Sequence, residues 1–119
     1  MAFDPESVTA EIAGTLRVQA GADFQRIRQI VGTHAASIAA QAELLVQSRI
    51  ESAAAGTGSV LDEFFADQLK VQVRHLAQTV AAMTVLTLEK AWNAMVGIVW
   101  TAMNAALSGA GLPGLPIPH

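Results

Sequence analysis

Charged side chains are distributed very unevenly along this chain. Of its 7 Lys and Arg and 10 Asp and Glu residues, only Glu89 and Lys90 follow Arg74, and residues 91–118 contain none. An unpaired charge is costly to bury, whereas apolar surface contributes about 25 cal/mol per Å² when it leaves water. The distribution therefore predicts that the second half of the chain is hidden from water, either by protein or by lipid.

Composition excludes several classes of protein. Hydrophobic residues make up 52% of the 119 positions, which argues against disorder, and charged residues only 14%, against roughly 25% in ordinary soluble domains. The net charge of −3, without a basic block, argues against nucleic acid as a partner. Without cysteine there are no disulfides, thiolate metal sites or thiol nucleophiles. The acidic start predicts no signal peptide and synthesis in the cytoplasm, which leaves a virus-like or secreted assembly open.

Apolar residues recur in steps of three and four, which predicts an all-α protein. The first predicted arm covers residues 5–54. Asp4 is placed to cap it, and Pro5 suits the first helical position. Gly21 weakens the arm, and Asp23 is a candidate cap for a fresh helix, so a kink is expected near residues 20–23.

The second predicted arm covers residues 60–108, with Ser59 as its N-cap and Asp62 in a capping box. The segment Thr84–Leu88 is rich in β-branched residues, but no turn residue flanks it. We therefore expect the helix to continue through this segment. Gly109 and the prolines beyond it end the arm, and residues 109–119 form an extended tail.

Residues 55–59 are the clustered turn signal between the arms. They predict one domain over residues 1–108, a long antiparallel helical hairpin whose arms each span about 75 Å at 1.5 Å per residue. Two helices share one seam, which is too little to cover the apolar content of both arms. We therefore expect the fold to be completed by oligomerisation.

The predicted interface with other copies comprises the apolar positions of the second arm and tail. The numerous alanines nearby permit close approach between helices. We further expect the tail to dock on a neighbouring subunit, and the acidic and basic turns of residues 62–74 to meet their complement on another copy. The predicted interface residues are Leu76, Val80, Met83, Leu88, Trp92, Met95, Val99, Trp100, Met103, Leu107, Leu112, Leu115 and Ile117.

Reactive side chains form no recognisable site. His34 falls in the apolar stripe of the first arm, where a hydrogen-bonded interior histidine is expected, and His75 is expected at the surface. Neither belongs to a helical metal-binding pair, and no serine has a base and acid partner in sequence. The sequence predicts no enzyme, no cofactor, no metal and no small-molecule substrate.

Three functions fit these expectations. The first is a structural subunit that assembles with copies of itself into a filament, tube, shell or bundle. The second is a membrane-active protein, because residues 91–112 lack charge and about 20 such residues cross a bilayer. Asn93, Thr101 and Asn104 interrupt that segment and disfavour this alternative. The third is a homodimeric helical module that binds a partner.

Overall fold

A computed structural model describes residues 3–56 and 60–118, with the side chains of Val60 and Leu61 excepted. The predicted all-α class is confirmed. The helices are α1 (Pro5–Ala20), α2 (Phe24–Ala55), α3 (Val60–Met83) and α4 (Leu88–Gly109), and a short 3-10 helix (Gly21–Asp23) joins the first two. Residues 110–118 follow as an extended tail.

The start of α1 follows the local signals in the sequence. The Asp4 carboxylate accepts a hydrogen bond of 3.1 Å from the backbone N–H of Glu6, and Pro5 occupies the first turn. Both features satisfy or remove backbone donors that a helix end leaves without partners.

The expected break near residues 20–23 is present, and α1 folds back on α2 there. Gly21 has φ 61° and ψ −133°, a conformation that residues with a Cβ rarely adopt. Asp23, which precedes α2, has helical backbone angles, and its side chain makes no capping hydrogen bond. The proposed capping role of Asp23 is therefore wrong, and the glycine alone explains the change of direction.

Helices α2 and α3 form an antiparallel hairpin. The Ser48 hydroxyl donates to the Asp62 carboxylate at 2.5 Å, and the Ser37 hydroxyl donates to the Gln72 amide at 3.4 Å. The earlier α2 residue, Ser37, pairs with the later α3 residue, Gln72, and the later α2 residue, Ser48, pairs with the earlier α3 residue, Asp62. The two helices therefore run in opposite directions. Asp62 is buried and takes its partner from α2. The predicted cap Ser59 lies outside the described residues.

The second arm is not one helix, contrary to the prediction of a continuous arm over 60–108. The Thr84 hydroxyl donates to the Val80 carbonyl at 2.7 Å and accepts from the Leu86 N–H at 3.1 Å. Thr87 then caps α4 by accepting from the Lys90 N–H at 3.2 Å. These hydroxyl groups bond backbone N–H and C=O groups that would pair with other backbone groups inside a continuous helix. The β-branched residues of this segment also have low helix propensity. Threonine therefore ends and restarts the helix without glycine or proline.

The two breaks convert the predicted hairpin into four packed helices. Helix α1 packs on α2, α2 on α3 and α3 on α4, and α4 returns to contact α1 and α2, while α1 and α3 make at most a minor contact. The molecule measures 48 × 22 × 20 Å, so each arm is folded rather than fully extended. Among the described residues, the buried side chains are apolar except for Asp62, and they include the fully buried Trp100, Met95 and Met103 of α4.

Candidate association surface

The structure places most of the predicted interface residues inside the chain's own core. This assignment to an interface with other copies is corrected, because α4 folds back onto α1 and α2 and one chain hides these side chains by itself. The charge-poor second half therefore needs no neighbouring copy for its burial. The eight residues concerned are Leu76, Val80, Trp92, Met95, Val99, Trp100, Met103 and Leu107.

The remaining predicted interface residues lie at the surface or beneath the tail. Met83 and Leu88 are exposed on either side of the bend between α3 and α4, and Ile117 is 50% exposed. Leu112 and Leu115 are half-buried and pack against the core. These five positions are still accessible, at least in part, to another molecule.

The tail is held by its own chain. The Asn104 side chain accepts a hydrogen bond of 2.7 Å from the Leu115 N–H and donates one of 3.1 Å to the Leu115 carbonyl. A Cβ added at Gly114 would lie 3.0 Å from Cγ of Asn104, so the tail backbone passes very close to this amide. The tail therefore docks on α4 of the same chain and does not depend on a neighbouring subunit for its anchor.

The outer face of α4 was not singled out in the sequence analysis. We define the α4 outer face as Asn93, Gly97, Thr101, Ala105 and Ser108, all of which are exposed. Their spacing of four and three residues aligns them along one side of the helix. The sequence signal was present, namely a regular stripe of small residues within the uncharged segment, but which side of α4 faces outward depends on the bend.

A cleft of about 610 Å³ lies beside the bend, between α3 and α4. The Arg74 guanidinium lies 5.0 Å from the centre of the Trp92 ring, within the range of a cation–π contact. Leu88, Glu89 and Asn93 complete the lining. The described residues of this lining include one carboxylate, Glu89, and no histidine or serine.

Histidine positions differ in part from the expectation. His75 is exposed as expected, but His34 is also exposed, so the expectation of an interior histidine is wrong. The buried positions of α2 step by four residues from Val31 to Ala35 and by three to Ile38, so Ala35 rather than His34 lies on the face that enters the core. Across the residues that the structure describes, no three His, Cys, Asp or Glu side chains converge in a group that holds a metal ion.

Within residues 3–56 and 60–118, no helix has both the length and the apolar character needed to cross a bilayer. No family model matches the sequence, and comparisons with curated proteins and with solved structures return no significant similarity.

Proposed function

We propose that the protein is a self-associating helical subunit in which the α4 outer face of one copy packs against the same face of another. The observation that carries the proposal is the absence of charge from an exposed helix. After Lys90 the sequence of α4 contains no charged residue, yet Gly97, Thr101 and Ala105 are exposed along it.

The absence of charge on this face is not explained by the core. A helix on the surface of a soluble protein normally bears charged residues on its outer face. The outer faces of the other three helices follow that rule, with Glu11 on α1, Arg28 on α2 and Glu63 on α3 as exposed examples. Charge is depleted at the centres of protein interfaces, because its desolvation is costly. The α4 outer face shares this absence of charge with interface centres.

The size and shape of this face suit a two-fold contact. A helix of 22 residues is about 33 Å long at 1.5 Å per residue. If the contact extends from this face over the neighbouring helices to the full bundle width of about 20 Å, each copy buries at most about 660 Å², somewhat below the roughly 800 Å² of standard interfaces. Gly97 and Ala105 add little bulk, so the two helix axes can approach to the short end of the usual 8–10 Å.

The test introduces charge without disturbing the monomer. A Cβ at Gly97 meets no atom within 4 Å, so Gly97→Glu is accommodated by the fold and improves helix propensity. We expect the wild-type protein to associate in light-scattering measurements, and the Gly97→Glu, Thr101→Glu double variant to weaken that association. Ala36→Glu, on the exposed side of α2, is the control for added charge. A monomeric wild type, or equal association of the double variant, contradicts the proposal.

A second candidate is attachment to an anionic membrane surface through one end of the bundle. Antiparallel packing brings the α1–α2 connection and the α3–α4 bend to the same end. Val18 and Val85 are 80% and 77% exposed there, with Arg17 and Lys90 nearby in sequence. Exposed apolar side chains beside basic residues favour binding to anionic headgroups. Co-sedimentation with phosphatidylserine vesicles, and its loss in Val18→Ser, Val85→Ser, tests this candidate against vesicles without anionic lipid.

A further inference from the structure

A groove between α1 and α2 has no role in the α4 contact. Its volume is about 480 Å³, and Ala10, Ala13, Gly14 and Gly32 are among the residues that line it. A Cβ added at Gly14 or at Gly32 meets no atom within 4 Å, so the glycines leave open space rather than permitting close packing within the chain. The groove therefore has room for a side chain from another molecule.

Charge limits what this groove accepts. Arg17 and Arg28 line it from α1 and α2, and the described residues that line it include no carboxylate. Both arginines are exposed, so their guanidinium groups can pair with an incoming anion. We call this surface the arginine groove. Its chemistry suits an apolar side chain that is flanked by carboxylates.

The chain presents such a feature on α3. Phe64 is 55% exposed, and its ring packs edge-on against Phe65 with 5.8 Å between the ring centres. Exposed Glu63 precedes it, and exposed Asp67 follows one turn later. Like charges four residues apart repel within one helix, and this repulsion is relieved when cations approach. We call Glu63, Phe64 and Asp67 the α3 ridge.

We propose that the α3 ridge of one copy docks in the arginine groove of a second copy, with Phe64 in the space beside the glycines and the two carboxylates paired with Arg17 and Arg28. The groove and the ridge lie far apart along the bundle. Asp62, next to the ridge, pairs with Ser48 of α2, whereas the groove is lined by α2 residues up to Gly32, which lie at least 16 residues or about 24 Å of helix away. The ridge of one chain therefore does not reach the groove of the same chain. Two different surfaces in contact form a heterologous interface, which propagates as a ring or an open chain.

This inference rests on the proposed self-association and adds a second, independent contact to it. The α4 faces alone give a closed pair of copies. Ridge-to-groove contacts link such pairs further, so wild-type assemblies are expected to exceed a dimer and to shrink at high salt, which screens the charge pairs.

The experiment is a charge exchange on the full chain, read by sedimentation velocity. Arg17→Glu, Arg28→Glu reverses the groove, and Glu63→Lys, Asp67→Lys reverses the ridge. We expect each double variant to weaken association beyond the dimer by about 30-fold or more, and an equimolar mixture of the two to restore it. The restoration separates loss of a contact from loss of folding. Arg26→Glu, Arg49→Glu reverses two charges outside the groove and is the matched control.

A steric variant tests the groove without changing charge. Gly14→Leu places a side chain in this space, where its Cβ meets no atom of the same chain within 4 Å, and is expected to stop assembly at the dimer. If wild type is monomeric, the proposed function fails together with this inference. If wild type assembles but the charge-reversed and Gly14→Leu variants assemble equally well, or the mixture restores nothing, the ridge-to-groove contact is refuted and the α4 contact stands.

Discussion

Removing the Asn104 amide is expected to release the tail from α4. This side chain makes two hydrogen bonds to Leu115, of 2.7 and 3.1 Å, and both satisfy backbone groups of the tail. A neutral hydrogen bond contributes about 0.5–1.5 kcal/mol net, so two contribute about 1–3 kcal/mol. Because Asn104 is only half-buried, water replaces part of this, and we expect Asn104→Ala to lower the free energy of unfolding by about 1 kcal/mol, the lower end of that range.

The assay is thermal and urea unfolding followed by circular dichroism. At this chain length about 1 kcal/mol corresponds to a fall in Tm of roughly 4 °C. Asn93→Ala removes the same group from an exposed position of the same helix and is the control. Gly114→Ala leaves Asn104 in place but puts a methyl group against it, and should release the tail in the same direction. Equal Tm values for Asn104→Ala and Asn93→Ala, with residues 112–118 still ordered by NMR relaxation, would refute the reasoning.

Three further predictions concern the fold, and the variants of each are measured by urea unfolding. Trp100→Ala should cost about 3–5 kcal/mol because the indole is fully buried, and a cost under 1 kcal/mol would contradict its place in the core. Gly21→Ala should lower the free energy of unfolding by about 1–3 kcal/mol because φ at this position is 61°. Gly97→Ala, in the middle of α4, should raise it by up to about 1 kcal/mol. The reverse order would contradict the backbone conformation at the break between α1 and α2. Asp62→Ala should cost about 1–3 kcal/mol through loss of the Ser48 hydrogen bond, and Ser48→Ala combined with it should add little if the two side chains act as one pair.

Local features of the fold could be predicted because their causes are local. Asp4 and Pro5 start α1 through groups within one helical turn. Gly21 allows the first break through its own dihedral angles, and the steps of three and four residues identify helices and their apolar sides. The candidate surfaces were less accessible to this reasoning, since Phe64 and Gly14 carry no signal until their surroundings are known.

Only the tertiary structure shows which molecule covers the apolar face of each helix. Periodicity shows that Trp100 and Met103 avoid water, but the same pattern fits burial by a second chain, by lipid or by the same chain. The hydroxyl groups of Thr84 and Thr87 form hydrogen bonds at the end of α3 and the start of α4, and after this break α4 packs on α1 and α2 of the same chain. Hydrophobic burial has no direction and does not distinguish one chain from another, so its partner is fixed by the geometry of the connections rather than by the apolar residues themselves.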